Sequence, residues 1–238
     1  MKLRRASLVL SSIGVILLLI SGPGTRFGLF GFRTGLVIFA TALLSAIAAF
    51  TITVVALILP KLRGRDGRRF ALPLVMSLIV MAGPAAFVQK ARSVPAIHDI
   101  TTDTADPPQF VDVIPLRKAW HAVNPPEYMG ESVAAQQKRA YPDIAPCELR
   151  MPRGEAFSKA KEAAEALGWE IVAQNPDEGR IEATVATAWF GFKDDIVVRV
   201  RATEGGSRVD VRSKSRVGRS DVGANATRIR RYLAILKP

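Results

Sequence analysis

Cysteine is almost missing from this chain. The one thiol, Cys147, excludes an intramolecular disulfide and leaves no zinc-type cysteine cluster. Histidine stops at His98 and His121, and there is no H-E-x-x-H pair, no phosphate-cradling glycine loop and no defensible Ser–His–Asp order. Aromatics make up only 7% of the residues, against nearly half that are hydrophobic. Acidic residues are also scarce in residues 1–89. Residues 1–89 hold ten Lys/Arg and one Asp, net +9, whereas residues 90–238 hold 23 basic and 20 acidic residues, net +3. Most of the +12 therefore sits beside apolar runs, as at the ends of membrane spans, and the high pI alone does not indicate a nucleic-acid partner.

What is present in residues 1–89 is a membrane region. Three apolar runs, at about 7–23, 35–59 and 70–88, approach or exceed the roughly 20 residues that cross a hydrocarbon core. The first, after "MKLRR", has two readings, a signal peptide or a retained span. "SGPGTRF" offers no small-x-small cleavage site, which favours the span. Lys2, Arg4 and Arg5 precede it. Lys61, Arg63, Arg65, Arg68 and Arg69 fill the loop between the second and third runs, while the opposite loop holds only Arg26 and Arg33. Positive residues stay inside, so the N-terminus is expected in the cytoplasm and everything after Val88 outside, with the protein in the plasma membrane. No charge interrupts the runs, so nothing points to an ion path. Thr41, Ser45 and Ala49 form a small-residue stripe suited to close helix packing, and Pro73 and Pro84 are expected to kink or end the third helix.

Residues 90–150 are rich in proline and read as an irregular strap over a folded domain, with Glu131–Ala140 the best candidate for a short helix. "IHDITTDTADPP" lies within it. His98, Asp99, Asp103 and Asp106 are either turn and cap residues or ligands for a divalent ion. His121 stands alone and reads as structural.

From residue 151 the pattern is regular. Phe157, Ala160, Ala164 and Leu167 recur at helical spacing before Gly168. Four alternating strands follow, with inward faces at Ile181, Ala183 and Val185, then Ile196, Val198 and Val200, then Val209 and Val211. Val222, Ala226, Ile229, Leu233 and Leu236 form the stripe of a last helix starting near Asp221. The expectation for residues 151–238 is an α+β domain, α-β-β-β-β-α, with a four-stranded antiparallel sheet and both helices on one face. The other face carries Glu182, Thr184, Arg199, Arg201, Arg212, Lys214 and Arg216, and is either solvated or covered by the strap.

The stretch "RSKSRVGRSDVGANATRIRRYL" joins the fourth strand to the last helix. A cap at Ser220 or Asp221, a turn glycine and Arg–Asp pairs account for much of it. The arginine density beside a helix N-terminus supports a second reading, an anion site made by Arg212, Arg216, Arg219, Asp221 and Asn225. "WFGF" places Trp189, Phe190 and Phe192 in the core or on an exposed apolar tip, and Gly191 favours the tip.

"IHDITTDTADPPQF", "LGWEIV", "GRIEATVATAWFGFKDDIVVRV" and "VDVRSKSRVGRSDVGANATRIRRYL" together resemble domain of unknown function 1499, over about residues 95–236. That family occurs in bacterial envelope proteins and in plastids. The resemblance implies a shared fold and an association with membranes, and it supplies no reaction, so no catalytic residue is assigned.

Two function classes follow. The first is an anchored envelope protein without cofactor, metal or nucleic-acid partner, whose domain binds an anionic ligand, a lipid headgroup or a partner protein. The second is a metal-dependent or hydrolytic enzyme using His98, Asp99, Asp194 and Asp195, with His98, Asp99 and Asp103 as the candidate metal ligands. Asp194 and Asp195, being adjacent on a strand, are expected to point to opposite faces. Convergence of His98 with two carboxylates would favour the enzyme.

Overall fold

The computed structural model describes residues 2–63 and 67–237. Arg65 of the basic loop and the C-terminal Pro238 lie outside the described residues. The chain divides into two units, residues 1–90 with Ala188–Gly191, and residues 91–187 with 192–238.

The first unit is helical. α1 (Lys2–Arg26), α2 (Phe32–Ile58) and α4 (Ala71–Arg92, preceded by a 3-10 turn at Gly67–Phe70) are each long and apolar enough to cross a membrane; α3 is a single turn at Pro60–Arg63. α4 runs through Pro84 and does not end there. α1 and α2 pack along a seam of small residues, Ser7, Ser11 and Gly14 against Ala42, Ala46, Ala49 and Thr53. Small side chains let helix backbones approach closely where lipid supplies no hydrophobic drive. A Cβ on Gly14 would stand 3.1 Å from the carbonyl oxygen of Ala42. The Ser7 hydroxyl donates to the Ala49 carbonyl at 3.1 Å and lies 2.5 Å from Thr53 Oγ1. Of the expected stripe, Ala49 is in the seam, whereas Thr41 is exposed and returns its hydroxyl to the Val37 carbonyl. The buried set is shifted by one position, because the rotation of a uniformly apolar helix is set by its partner. Within this unit the Phe190 ring meets Phe39 edge-on at 5.7 Å, and Arg26 donates to the Ala188 carbonyl at 3.0 Å.

The second unit is built on one antiparallel sheet of six strands, two more than the four expected. β1 (Asp99–Thr101) and β2 (Cys147–Leu149) flank helices α5 (Val113–Ala119) and α6 (Glu131–Ala140). Then come α7 (Arg153–Ala166), β3 (Glu170–Asn175), β4 (Arg180–Ala186), β5 (Lys193–Thr203), β6 (Gly206–Ser215) and α8 (Ala224–Leu236). The order is β1-β6-β5-β4-β3, with β2 also on β6. β1 pairs with residues 212–214 and β2 with residues 207–209, so the two short strands share the outer edge of β6 in succession. At three residues each they are too short to show a period of two, and prolines surround them. The segment expected as an irregular strap thus supplies two strands and two helices.

α7 and α8 cover one face. Ile181, Ile196, Val198, Val209 and Val211 from the strands meet Ala160, Ala164, Ala226, Ile229 and Leu233 from the helices in one buried cluster. Tyr232 is fully buried there, stacked on Trp169 at 4.8 Å, with its hydroxyl donated to the Ala160 carbonyl at 2.9 Å. That bond satisfies the one polar atom the ring brings into the core. The opposite face is covered too. Phe110 and Val113 pack on Val197, which leaves the charged residues of that face largely enclosed.

Candidate functional site: the charged face and the turn before α8

Alternation along β4, β5 and β6 sends every second side chain away from α7 and α8. Those side chains are mostly ionic, and they neutralise one another. Asp99 receives Arg212 through both carboxylate oxygens, at 2.9 and 2.8 Å, and Lys214 at 2.9 Å. Arg212 also donates to the carbonyls of Pro108 and Pro126 and lies over the rings of Phe110 and Tyr128. Asp195 receives Arg216 at 2.9 and 2.7 Å, Arg117 of α5 at 2.6 Å and the Thr184 hydroxyl at 2.8 Å. Asp210 gathers Arg199, Arg201 and Arg208, and Arg208 continues to Asp103 at 2.7 Å. Glu182 accepts from Arg180 at 2.6 Å and from the backbone N–H groups of Val111 and Val113.

Enclosure moves the titrations. Burial lowers the Lys214 ammonium from its ordinary range, against the pull of Asp99. Burial likewise lowers the Arg117 guanidinium, opposed by Asp195. Burial, with the Asp99 charge adding to it, pushes the Tyr128 phenol up to about 12.

The turn before α8 is a second polar cluster. Asp221 accepts from the N–H groups of Gly223 at 2.8 Å and Asn225 at 2.7 Å. Its carboxylate therefore occupies the donor end of the helix, where an external anion would otherwise sit. The two bonds span Val222, a β-branched residue held at φ 53°. Such a conformation costs about 1–3 kcal/mol and persists because its surroundings impose it. Burial raises the Asp221 carboxyl, and Asp194 adds to the rise, despite the two N–H donors. Asn225 is fully buried, bonded to Ser213, Ser215 and the His98 carbonyl. His98 Nδ1 lies 3.3 Å from the Arg219 carbonyl oxygen.

The residues singled out in the sequence are thus distributed as follows. Arg212 and Arg216 are enclosed in ion pairs on the sheet face, Asp221 and Asn225 organise the turn, and Arg219 is exposed on it. Trp189 is 42% exposed, Phe190 packs on Phe39, and Phe192 is half-buried. His98, Asp99 and Asp103 are not brought together. Asp99 is held by Arg212 and Lys214, and Asp103 by Arg208 and the N–H groups of Ala105 and Asp106. Among the described residues no group of three or more His, Cys, Asp or Glu is placed to hold a metal ion. Asp194 and Asp195 do part to opposite faces, Asp194 pairing with Arg228 of α8 at 2.6 Å. The sequence reading passed over Arg117, Arg208, Asp210 and Arg228. The signal for Arg208 and Asp210 was available, since both share the parity of Arg212 and Lys214 on β6. Arg117 carries no such signal, because α5 is too short to be periodic.

These features define a class: an α+β domain with an internal ionic layer, following three helices long and apolar enough to span a membrane. Residues 99–236 match the family described as Protein of unknown function (DUF1499), and the chain belongs to that family. No curated protein and no solved structure matches it.

Proposed function

We propose that the protein is an integral membrane protein of the plasma membrane whose sheet domain lies outside the cytoplasm and binds an anionic lipid headgroup through the turn before α8. One observation carries this reading. Of Arg212, Lys214, Arg216 and Arg219, three are buried and Arg219 is exposed. Asp221 and Asn225 hold the turn, and Arg219 makes the contact. Trp189 supplies an exposed aromatic surface suited to a membrane interface. The excess of Lys/Arg before the first apolar run and between the second and third supports a cytoplasmic N-terminus and an external domain.

Full-length protein in nanodiscs of phosphatidylcholine should co-float with phosphatidylglycerol vesicles at low salt and not with phosphatidylcholine vesicles. Arg219→Ala should abolish the co-flotation and Arg219→Lys should retain it. Equal flotation of wild type and Arg219→Ala would remove the turn from the contact. A periplasm-only reporter fused after the last residue should be active, and a cytoplasm-only reporter silent; the reverse pattern would overturn the orientation.

A further inference from the structure

Residues 183–192 carry no charge, and Trp189, Phe190 and Phe192 fall within four positions of a chain poor in aromatics. β4 and β5 stay in register up to Ala186 opposite Lys193. Beyond that pair the Thr187 N–H donates to the Phe192 carbonyl at 2.8 Å, and the Phe192 N–H to the Thr187 hydroxyl at 2.9 Å. The hairpin is closed there by its own bonds. Ala188–Gly191 form a tip outside the ladder, and these four residues belong to the helical unit.

The tip is seated on α1 and α2. Arg26, the last residue of α1, donates to the Ala188 carbonyl at 3.0 Å, and a Cβ on Gly191 would stand 3.0 Å from the Arg26 Cα. Gly191, at φ 68°, lets the chain reverse against that contact. The tip backbone is therefore level with the charged end of α1. Its rings lie further along the helices. A Cβ on Gly22 would overlap the Trp189 indole, so the ring fills a notch four residues before Arg26. Four residues of helix span about 6 Å. Phe190 meets Phe39, six residues past Arg33 on α2, or about 9 Å along that helix. Helical side chains lean toward the N-terminus, which brings the Phe39 ring somewhat nearer Arg33.

Arg26 and Arg33 flank the apolar stretches of α1 and α2 at this end. Such residues mark the boundary between headgroups and hydrocarbon. Both rings lie on the hydrocarbon side of that boundary. Leu19 and Ile20 of α1 and Leu36 and Val37 of α2, at the same level, are exposed, so the rings continue the lipid-facing surface of the helices.

We propose that Ala188–Gly191 is a membrane-inserted tip, with Trp189 in the Gly22 notch and Phe190 on Phe39, both immersed in the leaflet at the α1–α2 turn. Its partner is the acyl region of the bilayer, and an apolar tip of this kind needs no charge on the lipid. The 42% of Trp189 left open is then lipid contact. This rests on the reading of Trp189 as a membrane contact. It depends neither on the Arg219 contact nor on which side of the membrane holds the α1–α2 turn.

Tryptophan occurs at positions 120, 169 and 189, and of these Trp189 alone belongs to the helical unit. The test places full-length protein at high salt in phosphatidylcholine nanodiscs, with or without bromine near the headgroup end of one acyl chain. Brominated lipid should quench part of the tryptophan emission of wild type, and Trp189→Phe should remove that quenching. The emission left in Trp189→Phe should keep the blue maximum of a folded core, where Trp169 stacks on Tyr232. Gly22→Leu fills the notch, so it should reduce quenching by brominated lipid and raise quenching by aqueous acrylamide. Arg219→Ala should be quenched like wild type even as it loses flotation with phosphatidylglycerol, which separates this contact from that of the turn. Absence of quenching in wild type, equal quenching in wild type and Trp189→Phe, or unchanged quenching in Gly22→Leu would each overturn the proposal.

Discussion

Asp99 and Arg212 form a bidentate pair across the sheet edge, with neither side chain more than 1% exposed, although they stand 113 positions apart in the chain. Thr101 is the backbone partner of Arg212 in the β1–β6 ladder, so the pair is built into the strand register. It fastens residues 99–128 onto the sheet, because Arg212 also donates to the carbonyls of Pro108 and Pro126. A buried pair of this kind adds little net stability against an apolar replacement, but removing one member strands the other.

Arg212→Ala should therefore destabilise the protein by about 3–5 kcal/mol, because Asp99 is left with Lys214 alone and two carbonyls lose their donor. Arg219→Ala, on the exposed turn, should stay within about 1 kcal/mol of wild type. Urea-dependent pulse proteolysis of the full-length protein separates the two. A comparable small loss for both would mean that the ionic layer is not closed to water.

Asp103 should make stability fall on acidification. Burial pushes its carboxyl up, but the N–H groups of Asp106 and Ala105 and the Arg208 guanidinium outweigh this and hold it below the ordinary 3.8. A depressed carboxylate contributes stability above its unfolded value and loses it as the pH falls through the folded one. Asp103→Asn should cost about 1–3 kcal/mol at neutral pH, and the cost should shrink below pH 3.8. A cost that does not change between pH 7 and pH 3 would show that the hydrogen-bond geometry matters and the charge does not.

Asp221 has the opposite sign. Burial, helped by Asp194, raises its folded value above 3.8, so its contribution is full below that pH and is lost as the pH rises through the raised value. The stability of wild type relative to Asp221→Asn should decline from pH 3.5 upward and then level off. A relative stability that climbs with pH would mean that the two N–H donors, not desolvation, dominate the site.

The two carboxylates also mark how far the sequence could be read. The α-β-β-β-β-α order was legible because apolar residues recur at Phe157, Ala160 and Ala164 and alternate at Ile196, Val198 and Val200, where one face of each element is buried. The polar face was legible as a list of residues and not as an interior, because Arg199, Arg212 and Arg216 look the same in sequence whether water or Asp210, Asp99 and Asp195 stand beside them. The missing information lay in residues 99–128, whose strand has three residues and whose helix α5 has seven, too few for periodicity to register. Asp221 was legible as a cap, since Asp before a helix accepts from its free N–H groups. The start of the helix at Ala224 was not, because Val222 takes a left-handed conformation that β-branched residues seldom adopt.

α1 and α2 touch along Ser7, Ser11 and Gly14 on one side and Ala42, Ala46, Ala49 and Thr53 on the other. Such an interface depends on close approach, since apolar side chains gain nothing from leaving lipid for each other. Gly14 shows how close that approach is: a Cβ there would lie 3.4 Å from the Ala46 backbone nitrogen and 3.5 Å from the Ala46 Cβ. Leucine at position 46 would have to occupy the space that α1 fills, so the helices would part or rotate. Ala48, two positions along the same helix, is exposed and offers a control of equal apolarity. Ala46→Leu should lower the yield of a disulfide engineered between Ser7→Cys and Thr53→Cys, two positions whose hydroxyl oxygens stand 2.5 Å apart. Ala48→Leu should leave that yield unchanged. If both variants cross-link as efficiently as the parent, the seam tolerates bulk and the small residues are not what bring α1 and α2 together.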